Sequence, residues 1–125
     1  MNEYTYKAKK LEDGEWTQGS LFAGVNNHLI IQNINMKDGT FIGNVVDKDT
    51  ICRRSANGLW EHDVIMRGDG VGVVRYGVYE GCYGFYVDWQ NEFIPSEEDE
   101  IMLVGNVIDR PNLVEEVLEC LKEEE

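Results

Sequence analysis

The sequence predicts a predominantly β fold of the α+β class: about eight short strands in antiparallel pairs, then one helix at the C-terminus. Three observations carry this. Asp-Gly and Asn-Gly dipeptides punctuate the first half between alternating segments. Glycines and aromatic residues dominate the middle. A 3.6-residue apolar period appears only near the end.

The three turn signals are Asp13-Gly14, Asp38-Gly39 and Asn57-Gly58. Each tolerates the positive φ of a tight hairpin. Tyr4 to Lys9 alternates apolar and polar residues, and Glu15-Trp16-Thr17 follows the first turn. Leu29-Ile30-Ile31 and Ile34 precede the second turn, with Phe41-Ile42 and Val45-Val46 after it. Leu59 to Ile65 follows the third. Val71 to Tyr79 reads as a strand, Gly81-Cys82 as a turn, and Tyr83 to Trp89 as the returning strand. Glycines inside these strands fit bulges or bends, as small barrels need. Pro95 opens an acidic loop, and Glu100 to Val107 is a last strand. The helix is expected to start near Pro111, a residue suited to a first turn, or with Asn112 and Glu115 as a capping pair. Leu113, Val114, Val117, Leu118 and Leu121 line one helical face.

A chain of 125 residues suits one domain, here 1–122, with 123–125 as an acidic tail. Folding at this length buries roughly 65% of the unfolded surface. Apolar residues make up 42% and charged residues 28%, which excludes a disordered chain. No apolar run approaches the ~20 residues of a membrane span. No secretory signal is visible, so a cytoplasmic setting is expected.

The 24 acids and 11 bases give a net charge of −13. That argues against direct binding of nucleic acid or of an anionic membrane. Residues 96–125 alone hold 11 acids and two bases. Glu97, Glu98, Asp99 and Glu100 therefore form either a solvated loop or a negative patch for a basic partner.

Cys52, Cys82 and Cys120 stand 30 and 38 residues apart, and His28 and His62 are the only histidines. No zinc spacing can be built from them, so neither a metal nor a cofactor is expected. All three cysteines are read as reduced packing residues, with Cys120 in the core.

Gly68-Asp69-Gly70-Val71-Gly72 leads into a strand rather than a helix, which suits a turn and not a phosphate loop. Glu61, His62 and Asp63 set three ionisable groups side by side. Strand alternation would put Glu61 and Asp63 on one face and His62 on the other, unless the strand ends there. An acid beside a turn often accepts backbone hydrogen bonds instead. Arg53-Arg54 is a basic pair, able to hold an anion or a carboxylate of a neighbouring subunit. Trp60, Tyr76, Tyr79, Tyr83, Phe85, Tyr86 and Trp89 are dense enough that part of them must leave the core, where they pair across strands or form an interface.

Several segments together resemble the YopX family of small phage and prophage proteins. They are Asp13 to Leu21, Thr50-Ile51-Cys52-Arg53, Asn57-Gly58 and Leu59 to Ile65, followed by Gly72 to Gly77, Gly84 to Trp89 and Leu103 to Leu113. The matches keep their order over nearly the whole chain. One departure is Arg54-Ser55-Ala56, which stands where the family has a longer loop. The resemblance implies a small β pseudo-barrel, or two sub-barrels, with a C-terminal helix. It also implies a bacterial cell interior and no established enzyme activity.

Three roles are expected to compete. One is a non-enzymatic interaction module that assembles with itself or with a host or phage protein. The second is an acidic decoy of a host nucleic-acid-binding protein. The third is an enzyme using Glu61, His62 or Asp63 with Arg53. The interaction surface would draw on Arg53, Arg54, Trp60 to Asp63, and Glu97 to Glu100.

Overall fold

Alternating apolar and polar residues form nine strands in two antiparallel sheets, followed by one helix, in a computed structural model that describes residues 6–34, 37–94, 96 and 98–123. The chain is mostly β and divides into two compact units, Met1–Gly58 and Leu59–Glu125.

The first unit holds β1 (Tyr6–Lys9), β2 (Trp16–Ala23), β3 (His28–Ile34), β4 (Phe41–Val46) and β5 (Cys52–Arg53), in spatial order β4-β3-β2-β1-β5. Tyr4 and Thr5, expected in the first strand, lie outside the described residues. In β2 the period of two is plain: Thr17 and Gly19 are buried while Gln18 and Ser20 are exposed. Gly19 has no substitute, because a Cβ there would collide with the Ile31 carbonyl and lie 2.9 Å from Ile30 Cγ2. The core is small. Ala8, Ile30 and Val46 are buried, with Tyr6, Leu21 and Ile51 packed around them.

This sheet curls until one corner of β1 meets β4. The Asp47 N–H donates to the Lys9 carbonyl at 2.9 Å, and the Leu11 N–H donates to the Val45 carbonyl at 3.0 Å. The buried Thr50 hydroxyl ties the corner down, accepting from the Lys9 N–H at 2.8 Å and donating to the Asp47 carbonyl at 2.7 Å. The contact is a single bridge, Lys10 to Val46, and not a ladder. The expected barrel is therefore a curled open sheet.

The second unit holds β6 (Asp63–Arg67), β7 (Gly70–Tyr79), β8 (Cys82–Trp89), β9 (Ile101–Asn106) and α1 (Leu113–Glu123), with strand order β8-β7-β6-β9. This sheet is also open. Val64, Val71, Val73 and Leu113 form its core. Val104, Val107, Val114, Val117, Leu118 and Leu121 pack onto that core, so the expected helical face is the one that docks. A Cβ at Gly105 would lie 2.8 Å from Leu113 Cδ2, so that glycine lets the helix start close to the sheet.

The helix begins at Leu113, directly after Pro111 and Asn112, where its start was expected, and the Asn112 carbonyl accepts the Glu116 N–H at 3.0 Å. Several other local expectations need correction. Glu123 ends the helix rather than starting a tail. Asn57-Gly58 makes a turn, with φ +86° at Gly58, but it joins no hairpin: β5 pairs with β1, and β6 with β7 and β9. The β7–β8 turn is Glu80-Gly81, one residue earlier than expected. Both have positive φ, 51° and 82°, as a type I′ turn requires. Cys52 is buried, but Cys82 and Cys120 are exposed and are not core residues.

Candidate functional site

The residues expected to carry function divide between the two units. Arg53 and Arg54 belong to the first unit, and Trp60 to Asp63 to the second. The Arg53 guanidinium carbon lies 5.6 Å from the centre of the Tyr6 ring, a cation–π contact along the β1–β5 pair. Arg54 is exposed, with Nη2 3.7 Å from where a Gly58 side chain would start.

In the second unit the strand begins at Asp63, and the three residues before it form a turn. Alternation therefore does not govern Glu61 and His62. The carboxylate of Asp63, only 3% exposed, accepts the Trp60 N–H at 2.8 Å. The Asp63 N–H donates to the Trp60 carbonyl at 3.1 Å, so the side chain closes its own turn. His62 has φ +76°, a left-handed conformation unusual for a residue other than glycine. Its N–H donates to the Val74 carbonyl at 2.8 Å, and its carbonyl accepts the Val107 N–H at 3.1 Å. The His62 backbone thus joins β7 to the segment after β9. Burial lowers the His62 pKa below its ordinary 6.5. The Glu61 carboxylate, 3.7 Å from Nε2, pulls it back up, Arg75 lowers it further, and Asp63 raises it. These groups hold a turn together, and no hydrogen bond joins His62 to either carboxylate.

The acidic loop folds on itself. The Ser96 N–H donates to Asp99 Oδ2 at 3.0 Å, and the Asp99 N–H donates to the Ser96 carbonyl at 3.2 Å. Arg67 Nη2 donates to the same carbonyl at 3.2 Å. Glu98 and Glu100 are exposed. Glu97, expected in this patch, lies outside the described residues, as does Pro95. Gly68-Asp69 is the two-residue turn between β6 and β7, with positive φ at Gly68 only, as in a type II′ hairpin.

Two surfaces of the second unit stand out from residue geometry alone. The first is the far end of β7 and β8. The β6–β7 ladder ends at Val73 and His62 adds one bond at Val74, so Arg75 to Tyr79 and the facing residues of β8 form a two-stranded ribbon. Val78, Tyr79 and Tyr83 there are 68%, 53% and 70% exposed. Tyr76 meets Tyr83 and Phe85 edge-on at 5.0 and 4.9 Å on one face. On the other face Tyr79 and Tyr86 stack at 5.0 Å and 12°. Gly77 and Gly84 face each other in the register, and a Cβ at either would have nothing within 4 Å. A cavity of about 350 Å³ lies beside them, lined by Tyr79, Glu80, Tyr83 and Phe85 among others. The aromatic count flagged this region, but only the register shows which rings remain in water.

The second surface is β9. It pairs with β6 on one side and with no strand on the other among the described residues. Ile101, Met102 and Leu103 are more than half exposed. Nothing in the sequence marked this strand as an edge, since its neighbour β6 lies more than 30 residues earlier.

Among the described residues no three His, Cys, Asp or Glu side chains gather as metal ligands would. No described helix is long and apolar enough to cross a membrane. No protein family, curated protein or solved structure matches the chain.

Proposed function

We propose that this chain is a non-enzymatic protein-interaction module, acting inside a bacterial cell as a phage- or prophage-encoded accessory protein of YopX type. The phage setting and the cytoplasmic location rest on the sequence resemblance. The interaction role rests on one observation: a β-ribbon that holds Val78, Tyr79 and Tyr83 in water beside stacked tyrosines. Aromatic side chains with two rotatable bonds are efficient contact residues, and an apolar group of this kind on a ribbon end gains by being covered. Its partner is a second copy of the chain or a host or phage protein.

The test is capture by a tagged chain from bacterial lysate, together with sedimentation of the purified protein. Recovery of untagged copies or of one specific partner, lost on Tyr79→Ser with Tyr83→Ser, supports the reading. A strictly monomeric protein that captures nothing removes it.

A second reading has its own observation. The first unit contains seven acids and seven bases, whereas the second contains 17 acids and four bases. All of the net charge of −13 thus belongs to the unit with the exposed strand. A basic partner, such as a host protein whose nucleic-acid surface is occupied by this acidic unit, fits that distribution. Capture of a basic protein at low salt, lost at moderate salt, supports it.

A further inference from the structure

The outer edge of β9 combines three features. It is an edge strand, so its outward N–H and C=O groups have no strand to pair with among the described residues. Three consecutive apolar side chains, Ile101, Met102 and Leu103, are 52%, 65% and 58% exposed. The strand is entered from an acidic segment, Glu98, Asp99 and Glu100. Natural edge strands are usually protected by lysine, proline, a bulge or a covering segment. In β9 the register shifts at Val104, between Gly105 opposite Val64 and Leu103 opposite Ile65, so the regular edge is Ile101 to Leu103; that stretch is apolar, and the charge stands at its entrance.

We propose that β9 receives an extended segment of a partner protein as a fifth strand, and that this segment has an apolar middle and Lys or Arg at the end beside Glu98–Glu100. Main-chain hydrogen bonds would supply affinity, and the alternate side chains would supply selectivity. Since every pairing in this sheet is antiparallel, the basic residues belong at the C-terminal end of the incoming segment. The inference deepens the basic-partner reading above and rests on it.

Charge decides between this occupant and a second copy. Antiparallel pairing of two β9 strands would join two units that each carry −13. Two bases of the same unit are already engaged: Arg67, opposite Ile101 in β6, donates to the Ser96 carbonyl at 3.2 Å, and Arg110 pairs with Glu116. Like charge therefore opposes a second copy, whereas a basic segment gains beside Glu98–Glu100.

The test uses a fluorescein-labelled peptide, Thr-Val-Ile-Val-Thr-Lys-Arg-Lys, read by anisotropy against the full chain. Two further peptides have Glu at the three basic positions, or N-methyl groups on every second residue so that one edge cannot hydrogen-bond. Binding is expected to weaken at least tenfold for both. It is expected to weaken as much for the first peptide with Leu103→Lys and with Met102→Lys, whose parent side chains are exposed, so that the fold should be retained, as circular dichroism will verify. Equal binding of the N-methylated peptide, or unchanged binding by both variants, overturns the inference in favour of plain charge attraction. A dimer in sedimentation that Leu103→Lys dissolves, with no peptide bound, overturns it in favour of a second copy. A basic partner captured from lysate equally by the parent and by Leu103→Lys overturns the edge site and leaves the basic-partner reading standing. Peptide binding without capture of any basic protein does the reverse.

Discussion

The two units solve one problem differently. Each has an antiparallel sheet with a face to bury. The first covers it by curling, so that β1 and β4 meet at a corner around Ala8, Ile30 and Val46. The second lays α1 across its sheet and buries Val64, Val71, Val73 and Leu113. The first is electrically neutral and the second carries −13. Both units leave apolar side chains in water, Phe22, Val25 and Ile42 in the first and Tyr83, Met102 and Leu103 in the second. Only in the second do they share a unit with the net negative charge, so interaction with a basic partner is expected there.

A hole made in each core tells the two arrangements apart. Ile30→Ala is expected to cost about 3–5 kcal/mol, because its neighbours are fixed by the sheet and cannot fill the space. Leu113→Ala, at the first turn of a helix that can settle inward, is expected to cost about 2–3 kcal/mol. Urea titration of both variants measures the difference. Equal losses would mean that the helix is held as rigidly as the strands.

Two glycines of β7 sit in opposite surroundings. A Cβ at Gly72 would collide with Val87 and lie 2.8 Å from Trp89 Cε3, whereas a Cβ at Gly77 would have nothing within 4 Å. Gly72→Ala is expected to destabilise by about 1–3 kcal/mol through overpacking. Gly77→Ala, in the free ribbon, is expected to be neutral or to stabilise by up to about 1 kcal/mol through the unfolded chain. Thermal midpoints of the two variants, compared with the parent, check both signs.

What the sequence made legible follows the same division between local and distant effects. Asp13-Gly14 and Asp38-Gly39 mark real turns, because positive φ is a property of the residue itself. The helical face from Leu113 to Leu121 was readable because its period is internal to one segment. Asn57-Gly58 misled, since the same dipeptide serves a hairpin and a passage between units, and only the pairing of distant strands tells them apart. Cys120 shares the helix's apolar period, yet the sheet beneath covers only part of that face, so it is exposed. Glu61, His62 and Asp63 looked like a possible constellation. Their geometry depended on where β6 starts, and that is fixed by Asp63 bonding back to Trp60. The β9 edge was invisible because an edge is defined by what fails to pair with it.

His62 offers a smaller and reversible perturbation. Its pKa lies below 6.5 in the folded chain, mainly because burial disfavours the charged ring. The unfolded chain therefore binds the proton more readily. Stability is full above pH 6.5 and falls as pH drops through 6.5 toward the folded value. Between about pH 7.5 and 5.5, before most carboxylates titrate, the urea midpoint is expected to decline. His62→Asn, which tolerates the same positive φ, is expected to flatten that decline. An unchanged slope would show that Glu61 and Asp63 offset the burial, with the cation accommodated in place.

Salt tests the charge contrast directly. Repulsion among the 17 acids of the second unit opposes its compact state, and the neutral first unit has no such term. The Debye length shrinks from about 30 Å at 0.01 M salt to about 8 Å at 0.15 M, so moderate sodium chloride screens most of that repulsion. Amide hydrogen exchange resolves the two units in one sample. Protection in β6, β7 and α1 is expected to rise with salt, while protection in β1 to β3 stays level. Neutralising Glu98 and Glu100 by Gln should reproduce part of the rise at low salt. If both units gain equally, the salt effect is a general one on burial, and the acidic charge of the second unit is carried at no cost to its fold. The charge would then be free to serve binding alone, with no compromise in stability for a partner to relieve.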